Sequence, residues 1–177
     1  MKVDEMNPRY EGLLRCFTHL PRQILSLHEL DNATEYVLHS LCDEGCLNLL
    51  KAAYFVDNPD FNCLKGIAGF NKEEEIYTCD KVLNDPAHFK NHMDECAYNQ
   101  KIRTITVPSA RRNGESSEHL IARLADLLDM ENPSVHTWNI KHDNFGMLIY
   151  EHPSSSDRSF HQELLHGLSI LGFCPIS

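Results

Sequence analysis

The sequence has no long apolar run. Its unbroken hydrophobic stretches are a few residues each, against the roughly 20 that a membrane-crossing helix needs. The opening MKVDEMNPRYEG lacks an apolar core and a small-residue cleavage site, so no secretory leader is read from it. Positive charge is also scarce: 16 Lys and Arg stand against 26 Asp and Glu, for a formal net charge of -10. A field of that sign repels phosphate backbones and argues against nucleic acid as a direct partner. The one tight basic pair, Arg111 and Arg112, is too small for a nucleic-acid footprint. It has room for a single anion, but the stretch around it reads as a solvated loop.

Glycine is sparse, with eight residues, and none builds a Walker or dinucleotide loop. No serine sits in a Gly-x-Ser-x-Gly elbow, which removes the usual hydrolase signature. The seven cysteines are odd in number and scattered. That pattern predicts a reducing compartment, the cytoplasm, rather than a disulfide framework.

What is present is enough for one globular domain. The chain has 177 residues, of which 42% are hydrophobic and 24% charged. Residues 1–177 are expected to form a single domain, with 1–29 as an N-terminal helical extension and 30–173 as the core. Helical spacing of Leu13, Leu14, Phe17, Leu20, Ile24, Leu25 and Leu27 predicts a helix over 10–28, kinked or broken at Pro21. Asp31 or Asn32 can cap a second helix over 33–46. Residues 51–57 (KAAYFVD) and 61–70 (FNCLKGIAGF) read as a hairpin across Asn58-Pro59-Asp60. Glu73, Glu74 and Glu75 read as a solvated edge.

Asp85-Pro86 opens a helix over 85–98, and 103–107 reads as a strand ended by Pro108. Ser116 or Ser117 caps a helix over 118–130. The clearest hairpin pairs 135–140 with 145–151. Its second strand, FGMLIYE, is apolar at consecutive positions and is predicted central and buried on both faces. Ser159 with Gln162 forms a capping box for a closing helix over 159–173. Hairpins interleaved with helices predict an α+β sandwich: a central antiparallel sheet of about five strands flanked by helices.

Three residues carry the sharpest chemical pattern. His88, His92 and Cys96 are spaced four apart on the helix predicted over 85–98, so they share a face and could chelate a transition ion. Cys79 is a candidate further ligand. With eleven histidines in the chain, a solvated helix with Cys96 turned inward explains the same spacing. Cys42 and Cys46 also have i, i+4 spacing, for which burial is the simpler account. Trp138, the only tryptophan, reads as a core or pocket wall.

The order of elements resembles the GAF domain, a small-molecule sensing relative of the PAS fold. The resemblance rests on VLHSLCDEGCLNLLKAAYFVD, where an amphipathic helix leads to a first strand ending in Asp. It rests also on IRTITVP, a strand ended by proline, and on FGMLIYEHP, where Gly146 matches an early glycine in the last strand. The resemblance implies a non-catalytic regulatory module, often dimeric, that binds a small molecule between the sheet and the middle helices. The implied lining is residues 79–106, with Tyr54 or Phe55 and Trp138 as walls. The candidate ligand-binding set is therefore Tyr54, Cys79, His92, Cys96, Thr104 and Trp138. Free methionine sulfoxide reductases share this domain and use a cysteine upstream of the proline-ended strand. In that variant Cys96 would be the reactive thiol and Cys79 would resolve its sulfenic acid. The chain departs from it in lacking a glycine-rich turn with a cysteine, and AYNQK after Cys96 has no acidic residue.

Overall fold

The computed structural model of the protein describes residues 8–26, 32–74, 84–114, 116–153 and 166–174. Its centre is a five-stranded antiparallel sheet. The strands are β1 (Lys51–Asn58), β2 (Cys63–Asn71), β3 (Thr106–Val107), β4 (Pro133–Asn139) and β5 (Phe145–Glu151). They lie in the order β3-β2-β1-β5-β4, so the two hairpins meet at the β1–β5 pair. The α+β sandwich read from the sequence is what forms, and β5 is interior and buried as expected.

Helices cover both faces. On one side lie α1 (Pro8–Ser26) and α2 (Ala33–Cys42), together with α3 (Pro86–Glu95) and a closing 3-10 helix (His166–Phe173). Val37, Leu38, Leu41, Tyr54, Leu148 and Leu171 form the heart of this core. On the other side lie α4 (Ala97–Thr104) and α6 (Ser117–Leu127), reached through the single turn α5 (Ala110–Asn113). There Phe55, Ile102, Leu120, Leu124, Met147 and Ile149 pack together. Strand alternation accounts for the split: even-numbered residues of β1 and β5 face α2, and odd-numbered ones face α6. A register shift at Tyr54/Phe55 leaves Ile67 as one extra residue in β2, a β-bulge.

Several elements differ from the expectations. One helix runs through Pro21, which lies on the exposed side and costs the helix a hydrogen bond without ending it. Helix α2 stops at Cys42, because Asp43 turns to an extended conformation. The helix over 85–98 divides at Cys96, whose ψ of 121° ends α3 before α4 begins. The strand over 103–107 shrinks to Thr106–Val107, since Arg103 and Thr104 belong to the last turn of α4. Two glycines explain the α4 result. A Cβ on Gly66 would lie 2.1 Å from the Ile102 carbonyl oxygen, and one on Gly69 would lie 1.9 Å from Ile102 Cδ1. The bare backbone of β2 therefore seats α4 almost against the sheet. Ser159, Gln162 and most of the predicted closing helix lie outside the described residues, and 166–173 form a 3-10 helix rather than an α-helix.

The cysteines also differ from expectation. Cys16 of α1 and Cys46 form a disulfide, with Cα atoms 5.6 Å apart. Cys46 lies beyond α2, so the Cys42/Cys46 helical pair does not arise, and Cys42 is buried as a thiol. Spacing along the chain carried no signal for this pair, since the partners are 30 residues apart. The crossing is close: a Cβ on Gly12 would stand 3.0 Å from the Gly45 carbonyl oxygen. Alkylation of the denatured, unreduced protein should label Cys42, Cys63, Cys96 and Cys174 and leave Cys16 and Cys46 unlabelled until a reductant is added. Peptide mass mapping reads this directly.

Candidate functional site

Tyr54, His92, Cys96, Thr104 and Trp138 line none of the cavities among the described residues. Tyr54 is fully buried and stacks flat on Trp138, ring centroids 5.6 Å apart. Gly146 makes room for that indole, since a Cβ there would come within 2.4 Å of it. The glycine that carried part of the resemblance thus has a packing reason. Burial, and to a lesser degree Cys174, push the Tyr54 phenol above its ordinary pKa. Cys174 itself is pushed up to about 11, mainly by burial, so its thiol is inert at neutral pH. Tyr54 and Trp138 belong to the α2 side of the sheet.

Cys96 sits at the joint between α3 and α4, half-buried, with its Sγ 3.5 Å from His92 Nε2. His88 lies on the exposed first turn of α3, where its backbone N–H donates to the Asp85 side-chain cap at 3.1 Å. Among the described residues no group of three or more His, Cys, Asp or Glu side chains is placed to hold a metal ion. Thr104 is exposed, and its hydroxyl donates to the Lys101 carbonyl at 2.7 Å within its own helix. Cys79 lies outside the described residues.

A different set of residues does converge. Between the sheet and α6 lies a cavity of about 140 Å³. Its floor is the ends of β1, β2, β4 and β5, and its roof is Leu120 and Ile121 of α6, with Arg111 of α5 at the side. The register puts Asp57 between Leu64 on one strand and Phe145 on the other. Asp57 is 4% exposed, and its Oδ1 accepts no hydrogen bond among the described residues. A buried carboxylate oxygen without a donor is costly, so it marks a place where something else supplies one.

Arg111 also lines the cavity. Its guanidinium carbon lies 3.0 Å from the centre of the Phe145 ring, a cation–π contact. Position and chain path explain each other here. Ser109 Oγ caps α5 by accepting the Arg112 N–H at 3.3 Å. The Arg112 guanidinium then donates to the carbonyls of Pro59 and Asp60, at 3.4 and 3.3 Å. The β1–β2 turn therefore fixes α5, and α5 aims Arg111 over Phe145. No ion pair joins Asp57 to Arg111 among the described residues.

Sequence reasoning made neither a site residue: Asp57 entered as the acid ending the first strand, and Arg111 as half of a basic pair with room for one anion but read as a solvated loop. Asp57 was visible as a lone acid closing the apolar run AAYFV, on the strand face shared with Ala53 and Phe55. A single charge at that position in a buried strand is the signal. Arg111 carried only the signal of a basic pair, because the turn that aims it is defined by contacts across more than fifty residues.

No helix among the described residues is long and apolar enough to cross a membrane. The chain matches no known family model and no curated protein. What defines it is an α+β fold with a two-faced antiparallel sheet and one cavity bearing a buried acid beneath α6.

Proposed function

We propose that this chain is a non-catalytic sensory or regulatory domain of GAF type that binds a small molecule in the cavity between sheet and α6. The observation that carries the reading is Asp57, which borders a cavity of about 140 Å³ and whose buried Oδ1 has no hydrogen-bond partner among the described residues. A void of similar size, about 150 Å³, accepts a benzene-sized guest in an engineered protein. The resemblance expects a pocket between sheet and middle helices lined by residues 79–106; this cavity is lined instead by strand ends, α5 and α6, so the reading keeps the kind of site and changes its lining. The acidic charge of -10 supports a partner other than nucleic acid. A cytoplasmic setting belongs to the same reading, and there Cys16 and Cys46 would be held reduced except under oxidation. Dimerisation, usual for such modules, completes it.

Native mass spectrometry of the untagged chain tests the reading. The expected result is a fraction carrying one small adduct, absent from Thr137→Trp, whose indole fills the cavity. An unadorned mass, with no small probe bound in solution, would sink it.

A second reading has its own observation. The 3.5 Å contact of Cys96 with His92 places a thiol beside an imidazole at the joint of α3 and α4. On that reading the chain is a thiol-dependent redox enzyme of the free methionine sulfoxide reductase type. Turnover of free methionine sulfoxide with a dithiol reductant, abolished by Cys96→Ser, is the discriminating assay.

A further inference from the structure

We propose that the cavity under α6 takes a compact zwitterion, its ammonium held by Asp57 and its anionic group by Arg111. This rests on the cavity being a binding site, and it adds the chemical class of the ligand.

Among the described residues Asp57 is the only acid bordering the cavity, and its buried Oδ1 has no hydrogen-bond partner there. An ammonium is the donor that also neutralises the buried charge, and such charge-assisted bonds are roughly twice as strong as neutral ones. A plain amine is a poorer occupant. Arg111 borders the same small space, and its guanidinium repels a second cation. The two side chains make no ion pair with each other among the described residues. A guest with both signs satisfies both ends at once.

The rest of the lining fixes size and body. Phe145, Leu120, Ile121 and Met147 give an apolar wall, so the linker between the charges is aliphatic. The volume of about 140 Å³ excludes nucleotides and admits a molecule near benzene in size. Short amino acids, α- or ω-, meet every condition. Arg111 lies exposed on a single-turn helix, so entry past it needs only a side-chain swing off Phe145.

The test is calorimetric titration of the full chain with glycine, valine, β-alanine and 4-aminobutyrate. Each is paired with the amine lacking its carboxylate and the acid lacking its amine. At least one zwitterion should bind, with both of its counterparts at least tenfold weaker. Asp57→Asn should weaken that zwitterion at least tenfold, and Arg111→Met at least threefold. Arg111 is exposed, so its variant keeps the test alive if Asp57→Asn fails to fold. Benzene, followed by saturation-transfer NMR on the native chain and on Thr137→Trp, separates the two levels. Benzene bound and blocked by Thr137→Trp, with no zwitterion bound, overturns the ligand class and leaves the cavity reading standing. Neither bound overturns both. A zwitterion that binds Asp57→Asn and Arg111→Met as tightly as the native chain overturns the placement.

Discussion

Replacing Arg103 by methionine should cost about 3 kcal/mol of stability at neutral pH, the lower end of what breaking a buried ion pair costs. Arg103 reaches from α4 to α2, where its guanidinium donates to Glu35, a side chain 2% exposed inside the α2 core. It also donates to Asp94 on α3 at 2.9 Å, and Asp94 takes a second cation, Lys90, at 3.0 Å. Three helices thus meet on one guanidinium. The lower end applies because Arg103 is itself a third exposed, and water replaces part of what it gives.

The pH dependence separates charge from packing. Burial holds the Glu35 carboxyl above its ordinary value even though Arg103 pulls it down. Without Arg103 the folded-state value rises further. The folded protein then binds more protons than the unfolded chain over a wider range, so stability falls as pH rises through that range. Asp94 adds to the effect with the same sign. Burial pushes its carboxyl up, yet Lys90 and Arg103 outweigh this and hold it below its usual value. Its contribution is present above the unfolded value and disappears on acidification. The cost of Arg103→Met should therefore be small near pH 4 and full by pH 7.5, measured by urea unfolding at both. Glu35→Gln in the Arg103→Met background should recover most of the loss at pH 7.5 and little at pH 4.

The second large effect belongs to β2. Gly66→Val should cost about 3 kcal/mol or more, because the new side chain meets the backbone carbonyl of Ile102 and α4 must move to admit it. The neighbouring glycine gives the contrast. At Gly69 the obstacle is the end of a side chain, Ile102 Cδ1. Ile102→Val removes that methyl, so it should rescue much of the loss in Gly69→Ala and none of the loss in Gly66→Val. Two double-mutant cycles by chemical denaturation read this difference.

These residues show which parts of the molecule were legible in the sequence. The hairpins were, because strand alternation and turn residues act over neighbouring positions. Asn58-Pro59-Asp60 marked one, and the buried run FGMLIYE marked the other. The layout of helices around them followed from the same local periods. Glycine in FNCLKGIAGF read as ordinary strand sequence, while its real meaning, a helix lying against the backbone, depends on Ile102 more than thirty residues away. The same dependence turned Arg103 and Thr104 from strand into helix. The candidate site failed to show for a related reason. Histidine and cysteine attract notice as reactive types. A site made of one strand-end acid and one turn-held arginine is defined by which face of the sheet each meets. That alternation was readable for Asp57, but nothing local placed Arg111 at the same cavity.

Alternation has a limit at the outer side of β2, and what happens there bears on how the protein behaves in a crowd. Strand β3 pairs with only Leu64 and Lys65. Beyond it the N–H of Gly66 donates to the Ile105 carbonyl at 2.9 Å, and that of Gly69 to Asn99 Oδ1 at 2.8 Å. The helical segment after Cys96 thus consumes hydrogen bonds that an incoming strand would use, and this border of the sheet cannot template aggregation or be extended by another chain. The other border of the sheet is β4.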